Sequence, residues 1–146
     1  MIWLLIIALL GTAMGEYDFL FKEPDIKAIQ DVLYAEGAGG NPEEMTAIAN
    51  VILNRLEAGE GLKGFSSYRK KDPQYIKAST GDLNEYEKEK YDEYGAILKQ
   101  LMQNPEDRRP WWFMENVEAF GEPSWVTETG AFEDIGRQRF YERKSK

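Results

Sequence analysis

Leu33-Tyr34-Ala35-Glu36-Gly37-Ala38-Gly39-Gly40-Asn41-Pro42-Glu43-Glu44-Met45 is the stretch that decides how the rest of the chain is read. Upstream of it Asp25 is suited to cap a helix, and Ile26, Ile29, Val32 and Leu33 recur at helical spacing towards Glu36. Gly37, Gly39 and Gly40 end that helix. Asn41 then offers an N-cap, and Pro42 suits a first turn, where its missing N–H costs nothing. Glu44 stands at the third position of a capping box. Met45, Ile48, Ala49, Ile52, Leu53 and Leu56 form the buried stripe of a second helix, which Gly59 closes.

Further out, Gly61, Gly64, Pro73 and Gly81 break residues 60–81 into what reads as an irregular segment. Leu83, Tyr86, Tyr91, Tyr94, Ile97, Leu98, Leu101 and Met102 mark a long third helix, closed by Asn104-Pro105. The charged run from Glu85 to Glu93 is its solvated face. Past Pro110 the period changes. Trp111–Val117 is short and aromatic, and Ala131–Ile135 and Arg137–Tyr141 flank Gly136 as the two arms of a hairpin. The expected fold class is α+β: one mainly helical domain with a small C-terminal antiparallel sheet.

A length of 146 residues fits one domain, and 42% hydrophobic with 30% charged residues describes a globular chain. The absence of cysteine excludes disulfides, thiol nucleophiles and Cys-ligated metal. The absence of histidine excludes Ser-His and Cys-His catalysis and His-ligated zinc. No metal and no cofactor are expected, and carboxylates, lysines, tyrosines and serines remain as reactive groups. A net charge of −8 without a basic stretch argues against nucleic acid as a partner. Recognition of a sugar polymer would rest on stacking and hydrogen bonds, for which 8 Tyr, 7 Phe and 4 Trp are available.

Residues 1–15 hold an unbroken apolar run, Ile2–Leu10, that continues to Met14. The run is shorter than the roughly 20 residues that span a bilayer. Ala13-Met14-Gly15 places small residues where an export signal is cleaved, although no Lys or Arg precedes the run. A removed signal peptide is the leading reading; a short uncleaved membrane anchor and a buried strand are the alternatives. Residues 16–24 read as a linker, 25–142 as the folded domain and 143–146 as a tail.

Glu36, in the last turn of the first helix, faces the negative end of the helix dipole, which disfavours a carboxylate's ionised form. Apolar neighbours folding over it would act the same way, as a glycosidic acid requires. The adjacent glycines would let a bulky polymer approach the backbone. On chemistry alone, a Glu before glycines is more often an ordinary polar helix end.

The ordered string of motifs adds a resemblance. Leu33-Tyr34-Ala35-Glu36-Gly37-Ala38-Gly39, then Glu44–Arg55 with its closing Val51-Ile52-Leu53-Asn54-Arg55, resembles the signature of SleB-type cell wall hydrolases, the family of the spore-cortex-lytic enzymes. That signature runs roughly Y-x-E-A-R-G-E, followed by a helix ending V-I-L-N-R. Phe65-Ser66-Ser67, Gln74-Tyr75, Asp134-Ile135-Gly136 and Phe140-Tyr141 continue it in order, so the resemblance covers about residues 25–142. It implies a lysozyme-like, lytic-transglycosylase-like domain that cuts between N-acetylmuramic acid and N-acetylglucosamine, with Glu36 as its catalytic glutamate. A transglycosylase needs only that carboxylate, because the substrate's own C6 hydroxyl closes a 1,6-anhydro ring. A muramidase is the neighbouring outcome and usually uses two carboxylates. Glu43, Glu44, Glu115, Glu118 and Glu122 are candidates for a second, none singled out by spacing, and the helix start already accounts for Glu43 and Glu44.

Gln74 and Tyr75 are expected by resemblance to line the glycan groove. Trp111, Trp112 and Trp125 are available to stack on sugars, as is Phe113, in the stretch Trp111–Asn116 that aligns loosely with the family's aromatic segment. For each of these a place in the core or in a polar loop is the plainer account. Asn54 and Arg55, Tyr91 and Tyr94 read as structural. Two positions depart from the signature: Ala38 and Gly40 replace its Arg and second Glu. The expected partner is the glycan strand of peptidoglycan, bound by a monomer, with membrane contact only through the N-terminal segment. The expected place is outside the cytoplasm (periplasmic or extracellular), or in a phage as an endolysin or virion-associated lysin. Rival readings are a catalytically weak peptidoglycan-binding component of an envelope or phage particle, and a small secreted adaptor.

Overall fold

The computed structural model describes residues 23–37 and 39–144. The readings of residues 1–15, of the linker as far as residue 22 and of Ala38 lie outside the described residues. Helix α1 spans Glu23–Gly37 and α2 spans Pro42–Glu57. After a 3-10 turn at Leu62–Gly64 come two short helices, α3 (Ser66–Arg69) and α4 (Pro73–Thr80), then the long α5 (Glu85–Gln103). Strand β1 (Trp111–Glu115), one turn of helix α6 (Val117–Phe120) and a 3-10 turn (Ser124–Glu128) lead to strands β2 (Thr129–Ile135) and β3 (Gln138–Arg143). The described part is therefore mainly helical with one small antiparallel sheet, the α+β class that the periodicity predicts.

Local chemistry explains most element ends. The Asn41 side chain accepts from the Glu44 N–H at 2.8 Å with Pro42 in the first turn, starting α2. Asn84 and Glu87 exchange both bonds of a capping box at the start of α5. Three expectations need correction. Helix α1 begins at Glu23, so the proposed linker loses its last two residues to the helix and Asp25 lies within its first turn instead of capping it. Segment 60–81 is not irregular: Asp72 caps α4 by accepting from the Gln74 N–H at 2.9 Å, Pro73 opens it, and Gly81 closes it at φ 74°. Pro73 and Gly81 are thus the start and stop of a helix, not breaks in a loop. Finally, Glu44 receives the cap from Asn41, but no return bond from its carboxylate to Asn41 is present among the described residues.

The core forms where α1, α2 and α5 pack together and β1 lies on α2. Ile29, Val32 and Leu33 from α1, Met45, Ile48, Ile52 and Leu53 from α2, and Tyr94, Leu98 and Leu101 from α5 are buried together, as their spacing predicts. Leu56 is half-buried at the edge of that stripe. The sheet order is β1-β3-β2, both pairings antiparallel. Gly136, at φ 60°, begins the two-residue turn that joins Ile135 to Gln138, where a type II′ hairpin places glycine. Phe140 on the central strand joins the helical core. The next residue, Tyr141, faces the other side, where Phe113, Trp125 and Phe132 surround it.

Candidate active site

Glu36 is the penultimate residue of α1 and is half-buried. Ser67, the second residue of α3, donates to its carboxylate oxygen Oε1 twice, from the hydroxyl at 2.7 Å and from the backbone N–H at 3.2 Å. Ser67 is itself 6% exposed, so the pair is held by packing as well as by hydrogen bonds. The loop after Glu36 is set by its own bonds: the Gly40 N–H donates to the Gly37 carbonyl at 2.7 Å, and the buried Tyr94 hydroxyl donates to the Gly40 carbonyl at 3.3 Å. Gly37 and Gly40 face α2, not a ligand. A Cβ at Gly37 would meet Met45 Sδ at 2.2 Å, and one at Gly40 would meet Glu44 Oε2 at 3.0 Å. Two of the three glycines that read as room for a polymer are therefore room for α2.

Glu36 lies on a cleft of about 400 Å³, formed where the α1–α2 junction meets the end of the sheet. Two further carboxylates line it, Glu44 and Glu115, together with the amides of Asn116 and Gln138, and Ser66. Arg137, on the turn between β2 and β3, is the cation among these lining residues. Met114 and Phe120 complete the wall, and Phe120 is 79% exposed on the one-turn helix α6 that Asn116 caps. Glu36 therefore sits among polar groups with one exposed aromatic ring, not beneath a lid of Trp or Phe side chains. Among the described residues no three Asp or Glu side chains converge as metal ligands do.

The other residues singled out by sequence lie elsewhere. Tyr75 is a core residue of α4, edge-on to Tyr68 at 5.5 Å, and Gln74 precedes it in the first turn of that helix. Trp112 lines a separate cleft of about 410 Å³ with Asn54, Glu57 and Pro110, and the Arg143 guanidinium covers its ring at 3.6 Å. Alternation along the strand takes Trp112 off the face on which Trp111 joins the core, and the bulge between Trp111 and Phe113 takes Phe113 off it as well. Phe113 stacks on Trp125 at 5.1 Å, and Trp125 is edge-on to Tyr141 at 5.4 Å, so these rings first satisfy one another. Glu43 lines a third cleft with Arg109 and Glu133. Asn54 and Arg55 have structural partners: Asn54 donates to the carbonyls of Arg109 and Trp111 at 2.8 Å each, and Arg55 pairs with Glu60 at 2.8 Å.

Ser67, Phe120, Asn116 and Arg137 are the neighbours of Glu36 that sequence reasoning did not single out. Ser67 lies within Phe65-Ser66-Ser67 and Asn116 closes the stretch Trp111–Asn116; nothing local marks Phe120 or Arg137. No described helix is long and apolar enough to cross a membrane. Neither the family models, nor the curated proteins, nor the solved structures with which the chain was compared give a match.

Proposed function

We propose that this protein cleaves the glycan strands of peptidoglycan between N-acetylmuramic acid and N-acetylglucosamine, with Glu36 as acid and base. The observation that carries this reading is the setting of Glu36. One glutamate at a helix junction, in the place of the Y-x-E motif, is held by Ser67 on an open polar cleft with an exposed aromatic ring. Polar groups for hydroxyls and amides, beside a flat apolar surface for the C–H face of a pyranose, are the chemistry a sugar polymer needs. The mainly helical body with a small sheet is compatible with a lysozyme-like domain, which the motif implies.

Ser67 engages Oε1 with both of its donors, which leaves Oε2 of Glu36 to carry the proton. That proton passes to the glycosidic oxygen, and the C1–O bond breaks with its electron pair on the departing oxygen. The C6 hydroxyl of the muramic residue then attacks C1 and returns its proton to Glu36, closing the 1,6-anhydro ring. Attack by water instead gives the muramidase product. Such an activity places the protein outside the cytoplasm or in a phage lysis system, acting on the wall as a monomer without cofactor. A second reading, a weakly active wall-binding component, draws on one observation, the replacement of the motif's Arg and Glu by Ala38 and Gly40.

Digestion of purified sacculi followed by mass spectrometry of the released sugars tests the proposal. Muropeptides lighter by one water identify the transglycosylase, and reducing ends identify the muramidase. Binding to sacculi with no glycan product in either form would sink the enzyme in favour of the wall-binding component.

A further inference from the structure

Glu44 is a carboxylate in an unusual place. Its residue is 2% exposed, yet it lines the same cleft as Glu36. Its Oε1 has no hydrogen-bond partner among the described residues, and its Oε2 lies 3.9 Å from Arg137 Nε. Burying an acidic group this way costs free energy that the start of a helix does not require. Glu87 shows the alternative: at the same position of α5 its carboxylate returns to the cap residue's N–H at 3.2 Å. Two glycines make room for the Glu44 carboxylate. A Cβ on Gly136 would stand 2.6 Å from Oε2, and one on Gly40 would stand 3.0 Å from the same atom.

Gly40 is the position at which the motif carries its second glutamate. The space beside it is filled by the carboxylate of Glu44, reaching in from α2. The motif's arginine, replaced by Ala38, has a counterpart nearby: Arg137 Nη2 would be 4.0 Å from a Cβ on the adjacent Gly39.

We propose that Glu44, partnered by Arg137, supplies from α2 the second carboxylate that the loop lacks, and serves as a positioning residue of the Glu36 site. The inference rests on the glycan-cleaving reading. Its physical content is electrostatic. As the glycosidic bond breaks, the sugar ring gains positive charge, and a fixed carboxylate sheltered from water stabilises that charge more than it stabilises the neutral ground state. Glu44 thereby acts through its field and through the Arg137 turn. Its Oε1 is buried from solvent, so it makes no direct contact with the sugar.

The test is the pair of variants Glu44→Gln and Glu44→Ala/Gly40→Glu, assayed on soluble glycan strands beside the parent. Gln keeps the volume and removes the charge. Its kcat should fall at least about tenfold with KM within about twofold of the parent, the signature of an interaction realised in the transition state. In the double variant the loop regains its own glutamate: Glu44→Ala removes the carboxylate beside Gly40, while the Gly37 carbonyl at 3.0 Å and Met45 Sδ at 3.1 Å must yield slightly to admit the new Cβ. Activity should rise at least about fivefold above that of Glu44→Ala alone. Glu44→Gln with the parent's kcat overturns the inference, as does a folded double variant no more active than Glu44→Ala. Loss of the fold in Glu44→Gln would mark the residue as structural and overturns it equally. Absence of glycan cleavage by the parent overturns the functional reading and this inference with it; cleavage undiminished in the variant overturns this inference alone.

Discussion

Ser67 donates both its hydroxyl, at 2.7 Å, and its backbone N–H, at 3.2 Å, to the same carboxylate oxygen of Glu36. One oxygen is thereby fixed and the other is left for chemistry. If Glu36 is the acid of the proposed glycan cleavage, these two donors limit the rotation of the reacting group, and turnover would depend on that geometry.

Replacing Glu36 by Gln keeps the acceptor that Ser67 binds but removes the transferable proton. Turnover on peptidoglycan should fall by about a hundred- to ten-thousandfold, the usual worth of a general acid, while the melting temperature holds. Ser67→Ala keeps the backbone donor and should cost about tenfold in kcat with little change in KM. Steady-state kinetics on soluble glycan strands read both, and a Glu36→Gln protein with more than about a tenth of parental activity would mean that another group is the acid.

Phe120 is 79% exposed at the wall of the Glu36 cleft, so the folded protein gains little by having it there. A stacked aromatic contributes about 0.5–1.5 kcal/mol beyond the area it buries, which corresponds to roughly a two- to tenfold change in affinity. Phe120→Ala should therefore raise KM by about that factor, Phe120→Trp should restore it, and neither should move stability by more than about 0.5 kcal/mol. An unchanged KM in the alanine variant would remove Phe120 from the sugar-binding surface.

Glu87 ties three helices together: its carboxylate accepts from Lys77 on α4, from the Asn84 N–H at the start of α5 and from Tyr34 on α1. The Lys77 hydrogen bond, then the Asn84 N–H, hold its carboxyl below the ordinary range. A depressed carboxylate contributes stability that is fully present above the unfolded value of about 4.3 and is lost as pH falls through the folded value. Tyr34, pushed up to about 12 chiefly by burial and then by Glu87, stays neutral throughout this window. The melting-temperature gap between parent and Glu87→Gln should be constant from about pH 7 to 5 and should shrink below about pH 4. A gap that keeps its size down to pH 2 would show that the charge of Glu87 contributes nothing.

Gly136→Ala should destabilise for two separable reasons. Its φ of 60° is strained for any side chain, and its Cβ would stand 2.6 Å from Glu44 Oε2. The loss should be about 1–3 kcal/mol in the parent and smaller in a Glu44→Ala background, where the backbone strain and a 3.1 Å approach to the Cβ at position 44 remain but the carboxylate clash is gone. Denaturant unfolding of the four proteins measures the coupling. Equal losses in both backgrounds would show that Gly136 and Glu44 do not press on each other.

Helix starts and stops are written in short range, because a cap is satisfied within four residues of the chain. Asn41-Pro42 and the Gly136 turn could therefore be read directly, and so could the buried faces of α1, α2 and α5, where a period of 3.6 reports one apolar side. Helix α4 had the same local signals in Asp72-Pro73 and Gly81, and was missed because two helix ends eight residues apart look like breaks in a loop. The place of Glu36 at a helix junction was legible for the same local reason, but only the motif resemblance singled it out from an ordinary polar helix end. Its neighbours were not legible: Ser67 reaches it because α3 packs against α1, and only the packing of the sheet end against the α1–α2 junction brings Phe120 and Arg137 to the same cleft. The aromatic residues Trp112, Phe113 and Trp125 are a parallel case. Their type suits a sugar platform, but a bulge and the far face of the sheet turn them towards Arg143 and one another. Glu44 marks the boundary most sharply. Its position in the sequence assigns it to a helix cap, whereas the Gly136 turn closing over α2 buries it, because a side chain's environment is set by whatever the fold packs against it.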